Sequence, residues 1–262
     1  MDVTQDARHY RTIWISDVHL GTRGCKAEAL LDFLRHHESD MLYLVGDILD
    51  GWRLKRSWYW PQTHNDVVQK ILRRARKGCQ VFYIPGNHDE MARDYVGLEF
   101  GGVKVLAEAI HQTADGRRLL VLHGDQFDTV VRNAPWLAHV GDHAYALLLV
   151  LNTGFNALRR LLGFGYWSLS AYLKQRTKAA VGFISRYEEI LALTARRRGV
   201  DGVVCGHIHK AELTPCGPVL YANAGDWVES CTALVEHPCG RLEIVTWTEP
   251  CLETSVTVRE AA

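Results

Sequence analysis

Apolar positions recur along the first ninety residues with two alternating periods. Arg11 to Ser16 is a short apolar run of β type that ends in a polar loop. Ala27 to His37 carries apolar residues at helical spacing, and Met41 to Val45 is a second apolar strand. Asn65 to Lys77 returns to helical intervals and stops at Gly78, a helix C-terminal signal. Gln80 to Ile84 is a third strand, broken by Pro85-Gly86. Strand, helix, strand, helix and strand in that order predict a parallel βαβ core.

The pattern then changes. Leu119 to Leu122, Gly202 to Cys205, Val219 to Tyr221, Cys231 to Glu236 and Leu242 to Trp247 read as strands, with Gly-Pro and Pro-Cys-Gly turns between the later ones. Their close succession predicts antiparallel hairpins. Between the two halves a helical stretch runs from about Asn133 to Arg198. The expected architecture is α/β, two sheets face to face with flanking helices. The chain reads as a single domain, 1–262, with a helical insertion over 128–198. Arg73, Arg74, Arg76 and Lys77 read as a solvated helix end beside the negative pole of the helix dipole.

Polar chemistry is concentrated where the expected strands end. In order come Asp17-Val18-His19, Gly46-Asp47-Ile48-Leu49-Asp50, Gly86-Asn87-His88-Asp89, His123-Gly124-Asp125 and Gly206-His207-Ile208-His209. In an open α/β sheet the loops at the carboxyl ends of the strands meet at one crevice. In extended chain, residues two apart point to the same side, so Asp17 with His19, and His207 with His209, can serve one ion or neighbouring ions. Carboxylates, an amide oxygen and imidazoles form a mixed N/O donor set, suited to Mn²⁺, Fe²⁺ or Zn²⁺ rather than Ca²⁺ or an all-oxygen Mg²⁺ site. Seven candidates exceed what one ion takes from a protein. Two divalent ions about 3.5–4 Å apart, sharing a carboxylate and a water, use all of them. Any one of these motifs alone is weak, because an Asn-His pair in a turn is usually only a turn.

These five motifs in this order resemble the calcineurin-like metallophosphoesterase superfamily, over about Ile13 to His209. The resemblance implies a four-layer α/β/β/α sandwich. It also implies one metal on Asp17, His19, Asp47 and His209, and another on Asp47, Asn87, His123 and His207, with Asp47 bridging. By the same resemblance His88 faces the substrate, steadied by Asp50, and stabilises phosphoryl charge or protonates the leaving oxygen. Asp89 is the alternative orienting residue. The opening DVHLGTRG, the GDILDGW run and the GDWVESCTALVE segment are similar to the UDP-2,3-diacylglucosamine diphosphatases. That family splits UDP-2,3-diacylglucosamine into UMP and a lipid-linked sugar phosphate during lipid A synthesis at the inner membrane. Its members typically use Mn²⁺ and carry a helical lid after the HGD motif. One departure stands out: well-known members have Arg where this chain has His88. Arginine is a charge clamp, whereas histidine also transfers protons. This leaves open a relative acting on another phosphodiester, a nucleotide or a lipid phosphate.

Charge modifies this picture. The chain has 262 residues with 30 Lys and Arg against 30 Asp and Glu, and a balanced total disfavours a general nucleic-acid binder. The balance is uneven, however. Residues 128–186 hold seven basic against two acidic residues, leaving 23 against 28 elsewhere. The basic segment is also aromatic and strongly apolar around 144–151, features of a helix pair that rests on an anionic bilayer or lines a groove for acyl chains. Two helices packing on the core would carry the same stripes. A second basic and aromatic cluster, Trp52, Arg53, Lys55, Arg56, Trp58, Tyr59 and Trp60, follows Asp50. Arg53 and Arg56, with Asn87 and His88, are its candidate substrate contacts. Charges interrupt the N-terminal stretch before any long apolar run, and the apolar run from about Ala144 to Leu158 falls short of the roughly 20 residues a spanning helix needs. Seven cysteines without a CxxC pair fit reduced thiols. Together these features predict a cytoplasmic enzyme, peripheral on the inner membrane through its insertion. A catalytically dead binding module on the same fold would lack several of the metal-binding candidates.

Overall fold

The computed structural model describes residues 7–128 and 184–247. Its central strands are built from near-continuous apolar runs because both of their faces are covered. In β1 (Arg8–Ile15), Ile13 and Ile15 face one way and Trp14 the other, and all three are buried. The same alternation recurs in β2 (His37–Val45), where Leu42 and Leu44 oppose Tyr43 and Val45.

The first sheet continues through β3 (Gln80–Ile84), β4 (Glu99–Phe100) and β5 (Val103–Val105). The second contains β6 (Ala109–Gln112), β7 (Arg118–Val121), β8 (Gly202–Cys205), β9 (Glu212–Cys216) and β10 (Val219–Asn223). The chain then returns to the first sheet as β11 (Thr232–Glu236) and β12 (Leu242–Thr246). The orders are β12-β11-β1-β2-β3-β5-β4 and β6-β7-β8-β10-β9. As expected, β1, β2 and β3 run parallel. The expectation of antiparallel hairpins throughout the second half needs correction, since β7, β8 and β10 are parallel neighbours. The hairpin β11–β12 pairs antiparallel with β1 rather than with its neighbours in sequence.

Three apolar layers hold the sandwich together. α1 (Ala27–His36) and α3 (Gln62–Arg76) cover the outer face of the first sheet, burying Leu30, Leu34, Val67 and Ile71 over Ile13, Ile15, Leu42 and Leu44. Trp14, Tyr43, Ile84, Leu119, Val121, Val204 and Leu234 fill the space between the sheets. A helix over 184–197, α4, buries Tyr187, Leu191 and Ala195 at four-residue spacing on Leu120, Val203 and Tyr221 of the second sheet. This is the α/β/β/α order. It also makes 184–197 a layer of the sandwich, although it was expected to belong to the insertion; 129–183 lie outside the described residues. Arg74 is a second correction. It is buried, and its guanidinium donates to Leu34 O at 2.8 Å and to His37 O, so it caps the carbonyl end of α1 rather than facing water.

The two sheets are tied at the amino end of β1 by one buried carboxylate. Glu236 accepts from Arg11 at 2.8 and 2.9 Å, from the Thr12 hydroxyl at 2.8 Å and from the Ala114 amide at 2.7 Å, and it contacts His111 Nε2 at 2.9 Å. Burial alone would raise its pKa, but the His111, Ala114 and Thr12 hydrogen bonds outweigh this and lower it.

Candidate metal centre

Beyond the last paired residues of β1 and β2 the two loops stay zipped. Asp17 N donates to Gly46 O at 3.1 Å, His19 N to Asp47 O at 2.8 Å and Leu20 N to Ile48 O at 2.9 Å. The second sheet behaves alike, with Gly206 N on His123 O at 3.1 Å, and Trp227 N crosses back to Asp17 O at 3.0 Å. All five motif loops therefore open at the carboxyl ends of parallel strands, where crevices in α/β folds lie.

The backbone at this crevice is strained. Asp17, His19, Asp47, His207 and His209 have φ of 51°, 53°, 54°, 72° and 53°, and Cys231 is the one other non-glycine residue with positive φ among those described. Left-handed backbone costs a side-chain-bearing residue roughly 1–2 kcal/mol, and such strain gathers at functional sites. Two glycines allow the close approach. A Cβ on Gly86 would collide with Asp47 Oδ1 and the His123 ring, and one on Gly206 with Asp17 Oδ2 and Ser16.

The side chains fall into three overlapping groups, each with ligand-capable atoms within 4.8 Å of one another: Asp17, His19 and His209; His19, Asp47 and His88; and Asp47, His123 and His207. Asp17, His19, Asp47 and His123 are buried. Asp47 Oδ1 accepts the His88 amide at 2.8 Å, while Oδ2 lies 3.4 Å from His123 Nε2 and 4.0 Å from His19 Nε2. Its carboxylate thus stands between the two sides of the crevice. Asp17 Oδ1, His19 Nε2, Asn87 Oδ1 and His123 Nε2 are buried without a hydrogen bond. Unmade hydrogen bonds on buried polar atoms are costly and rare in proteins. Here both oxygen and imidazole-nitrogen donors converge, so the residues fit divalent metal ions with mixed N/O preference.

Electrostatics point the same way. Burial opposes ionisation of Asp47, but the His123 and His19 imidazoles outweigh it and hold the carboxyl well below its usual range. Burial likewise opposes charge on His123, yet the Asp47 carboxylate raises its pKa to about 10. The field at this spot favours positive charge.

Asp50 lies beneath the groups. Its Oδ2 is 3.3 Å from His19 Nδ1 and 3.2 Å from His88 Nδ1, and its Oδ1 accepts Arg53 N at 2.8 Å as the N-cap of α2 (Gly51–Arg56). Asp89, the other candidate for orienting His88, is occupied elsewhere. Its carboxylate accepts the amides of Asp47, Ile48, Leu49 and Gly86 and the Tyr83 hydroxyl. Arg53 and Arg56 are exposed on α2.

Three residues near the groups were not assigned a role by sequence. Asp128 Oδ1 lies 2.7 Å from His207 Nε2, the arrangement by which a carboxylate fixes the tautomer of a metal-binding histidine. Asn223 Nδ2 donates to Gly206 O at 2.7 Å and holds the Gly206–His209 loop. The Trp52 ring lies 4.3 Å from that of His88. A carboxylate four residues past His123-Gly124 was the available signal for Asp128; Trp52 stood in the basic and aromatic cluster after Asp50, and Asn223 stands at the end of an apolar strand.

A family model described as calcineurin-like phosphoesterase matches residues 10–211. The UDP-2,3-diacylglucosamine hydrolase of Xanthomonas campestris is 27% identical over 247 residues, covering 85% of this chain and 94% of that protein. The protein of the same name from Chromohalobacter salexigens is 28% identical over 241 residues, covering 82% and 88%. Among solved structures, the E. coli phosphoesterase Yfce is similar with 14% identity and a TM-score of 0.41, covering 90% of this chain and 99% of that one.

Proposed function

The chain belongs to the calcineurin-like phosphoesterase family and is a metal-dependent phosphoesterase, and from that premise we propose that it hydrolyses the pyrophosphate of a UDP-linked, acylated sugar to UMP and a lipid-linked sugar 1-phosphate. The relatives named UDP-2,3-diacylglucosamine hydrolase support the substrate class. The observation that carries the chemistry is the convergence of buried donor atoms without hydrogen bonds around Asp47.

In this reading Asp17, His19, Asp47 and His209 hold one divalent ion, and Asp47, Asn87, His123 and His207 the other. Mn²⁺ is the expected metal, with Fe²⁺ or Zn²⁺ as alternatives. When bound, the pair supplies Lewis acidity, lowering the pKa of a water and withdrawing charge from phosphoryl oxygens. Asp47 suits the shared position because Oδ1 is fixed by the His88 amide while Oδ2 faces both sides. With His88 Nδ1 against Asp50, Nε2 is left to donate to a phosphoryl or leaving-group oxygen. Arg53 and Arg56, on the helix that Asp50 caps, offer positive charge to the second phosphate. The basic insertion, outside the described residues, is assigned to the acyl chains and to the inner-membrane surface on the cytoplasmic side.

His88 favours one other reading, a phosphoesterase of the same chemistry acting on a different phosphodiester, nucleotide or lipid phosphate. The test is turnover of UDP-2,3-diacylglucosamine by the Mn²⁺-loaded protein beside a phosphoester panel. UMP release is expected, and it is expected to persist in His88→Arg, where an arginine clamp replaces the proton donor. Turnover of another phosphoester without UMP release overturns the substrate.

A further inference from the structure

The sequence WRLKRSWYW places three tryptophans and three cations just beyond Asp50, and the structure shows how they are presented. α2 is only six residues long, and Trp58 follows its last residue by two positions. Trp58 is 76% exposed, an unusual position for the largest apolar side chain, and Trp52 is 47% exposed.

The base beneath Trp58 is ordered. The Trp60 ring lies 6.2 Å from that of Trp58 and packs edge-on to buried His64 at 5.6 Å, and His64 Nδ1 accepts Gly21 N at 3.0 Å. The Arg23 guanidinium sits over the Tyr59 ring at 4.8 Å. Leu54 packs on Gly21, which joins the Arg23 loop to α2. Arg23, Arg53, Lys55 and Arg56 are all exposed, and among the described residues none has a carboxylate partner.

We propose that this rim docks the metal crevice onto an anionic phospholipid surface, with Trp58 in the interfacial layer and Arg23 and Lys55 against headgroup phosphates. An exposed tryptophan among cations without carboxylate partners combines the two attractions that hold interfacial segments, apolar insertion and charge. Soluble partners use such tryptophans too, but the absence of carboxylate partners among the described residues selects an anionic surface. The inference rests on the lipid-linked substrate proposed above, because a crevice facing the bilayer meets an acylated sugar nucleotide without removing it from the membrane.

The experiment is flotation of the full-length, metal-loaded protein with vesicles of phosphatidylcholine alone or with added phosphatidylglycerol. Binding is expected only to the anionic vesicles and is expected to weaken with salt. Lys55→Glu with Trp58→Ala should lower the partition coefficient by roughly tenfold or more, since each neutralised cation alone is worth about fivefold. Turnover of a soluble chromogenic phosphodiester should stay unchanged, showing that the variant is folded. Three results overturn the proposal: partitioning of the variant equal to wild type, equal binding to neutral and anionic vesicles, or binding of single-stranded RNA without binding to vesicles. Turnover of UDP-2,3-diacylglucosamine in detergent micelles is measured in parallel. If it is absent while rim-dependent vesicle binding persists, the substrate reading fails and the surface stands.

Discussion

At the scale of single residues, the centre is a set of positions where ordinary stability rules are broken together. Asp17, His19 and Asp47 combine burial with left-handed backbone, and Asp17 Oδ1 and His19 Nε2 lack a hydrogen-bond partner among the described residues. A bound cation compensates all of these at once. His88 is different: it is partly exposed and touches Asp50, which supports the proposed role in the reaction rather than in metal binding. His88→Asn is expected to lower kcat about 10²-fold or more while metal content, read by elemental analysis, stays at the wild-type value. Spacing made the residue types legible, because Asp-x-His and His-x-His after strands imply shared faces. Backbone strain and the unmade hydrogen bonds were not legible, since both are consequences of how loops from two sheets meet.

At the scale of elements, two buried carboxylates hold the loops and sheets that present those residues. Asp89 gathers four amides from the loops after β2 and β3. Asp89→Ala leaves those donors buried without a partner and is expected to cost about 2 kcal/mol or more in chemical denaturation, with weaker metal binding. Glu236 links β1 and β11 to the β6 hairpin of the other sheet, and Glu236→Ala is expected to cost about 3 kcal/mol by stranding Arg11 and His111. Because the folded pKa of Glu236 lies below its unfolded value, its contribution is complete above the ordinary glutamate range and is lost as pH falls through the folded pKa. The stability gap between wild type and Glu236→Ala should therefore narrow in acid. The motif Gly-Asn-His-Asp suggested Asp89 only as a neighbour of His88; three of its amide partners, Asp47, Ile48 and Leu49, are about forty residues away in sequence. The long apolar strands were legible from periodicity, whereas β4 and β9 were not. β4 is two exposed residues, and β9 holds a proline at an edge, where a missing donor is tolerated.

At the scale of the whole molecule, two sheets with helices outside them place every motif loop at one end, and this much followed from the strand–helix alternation. The crossing of β11–β12 back to β1 did not, because partner choice among apolar strands is decided by packing rather than by local pattern. Metal bound at the seam between the sheets, as proposed, would couple the site to global stability. Chelation is expected to lower Tm by roughly 5–10 °C relative to protein with metal at a hundredfold over Kd, measured by differential scanning fluorimetry. Two ions are proposed to share Asp47 at this seam. Anomalous diffraction from crystals of the Mn²⁺-loaded protein, collected at the manganese edge, tests it most directly. Two peaks about 3.5–4 Å apart on either side of the Asp47 carboxylate are the predicted result. A single peak, or peaks away from Asp47, would contradict it.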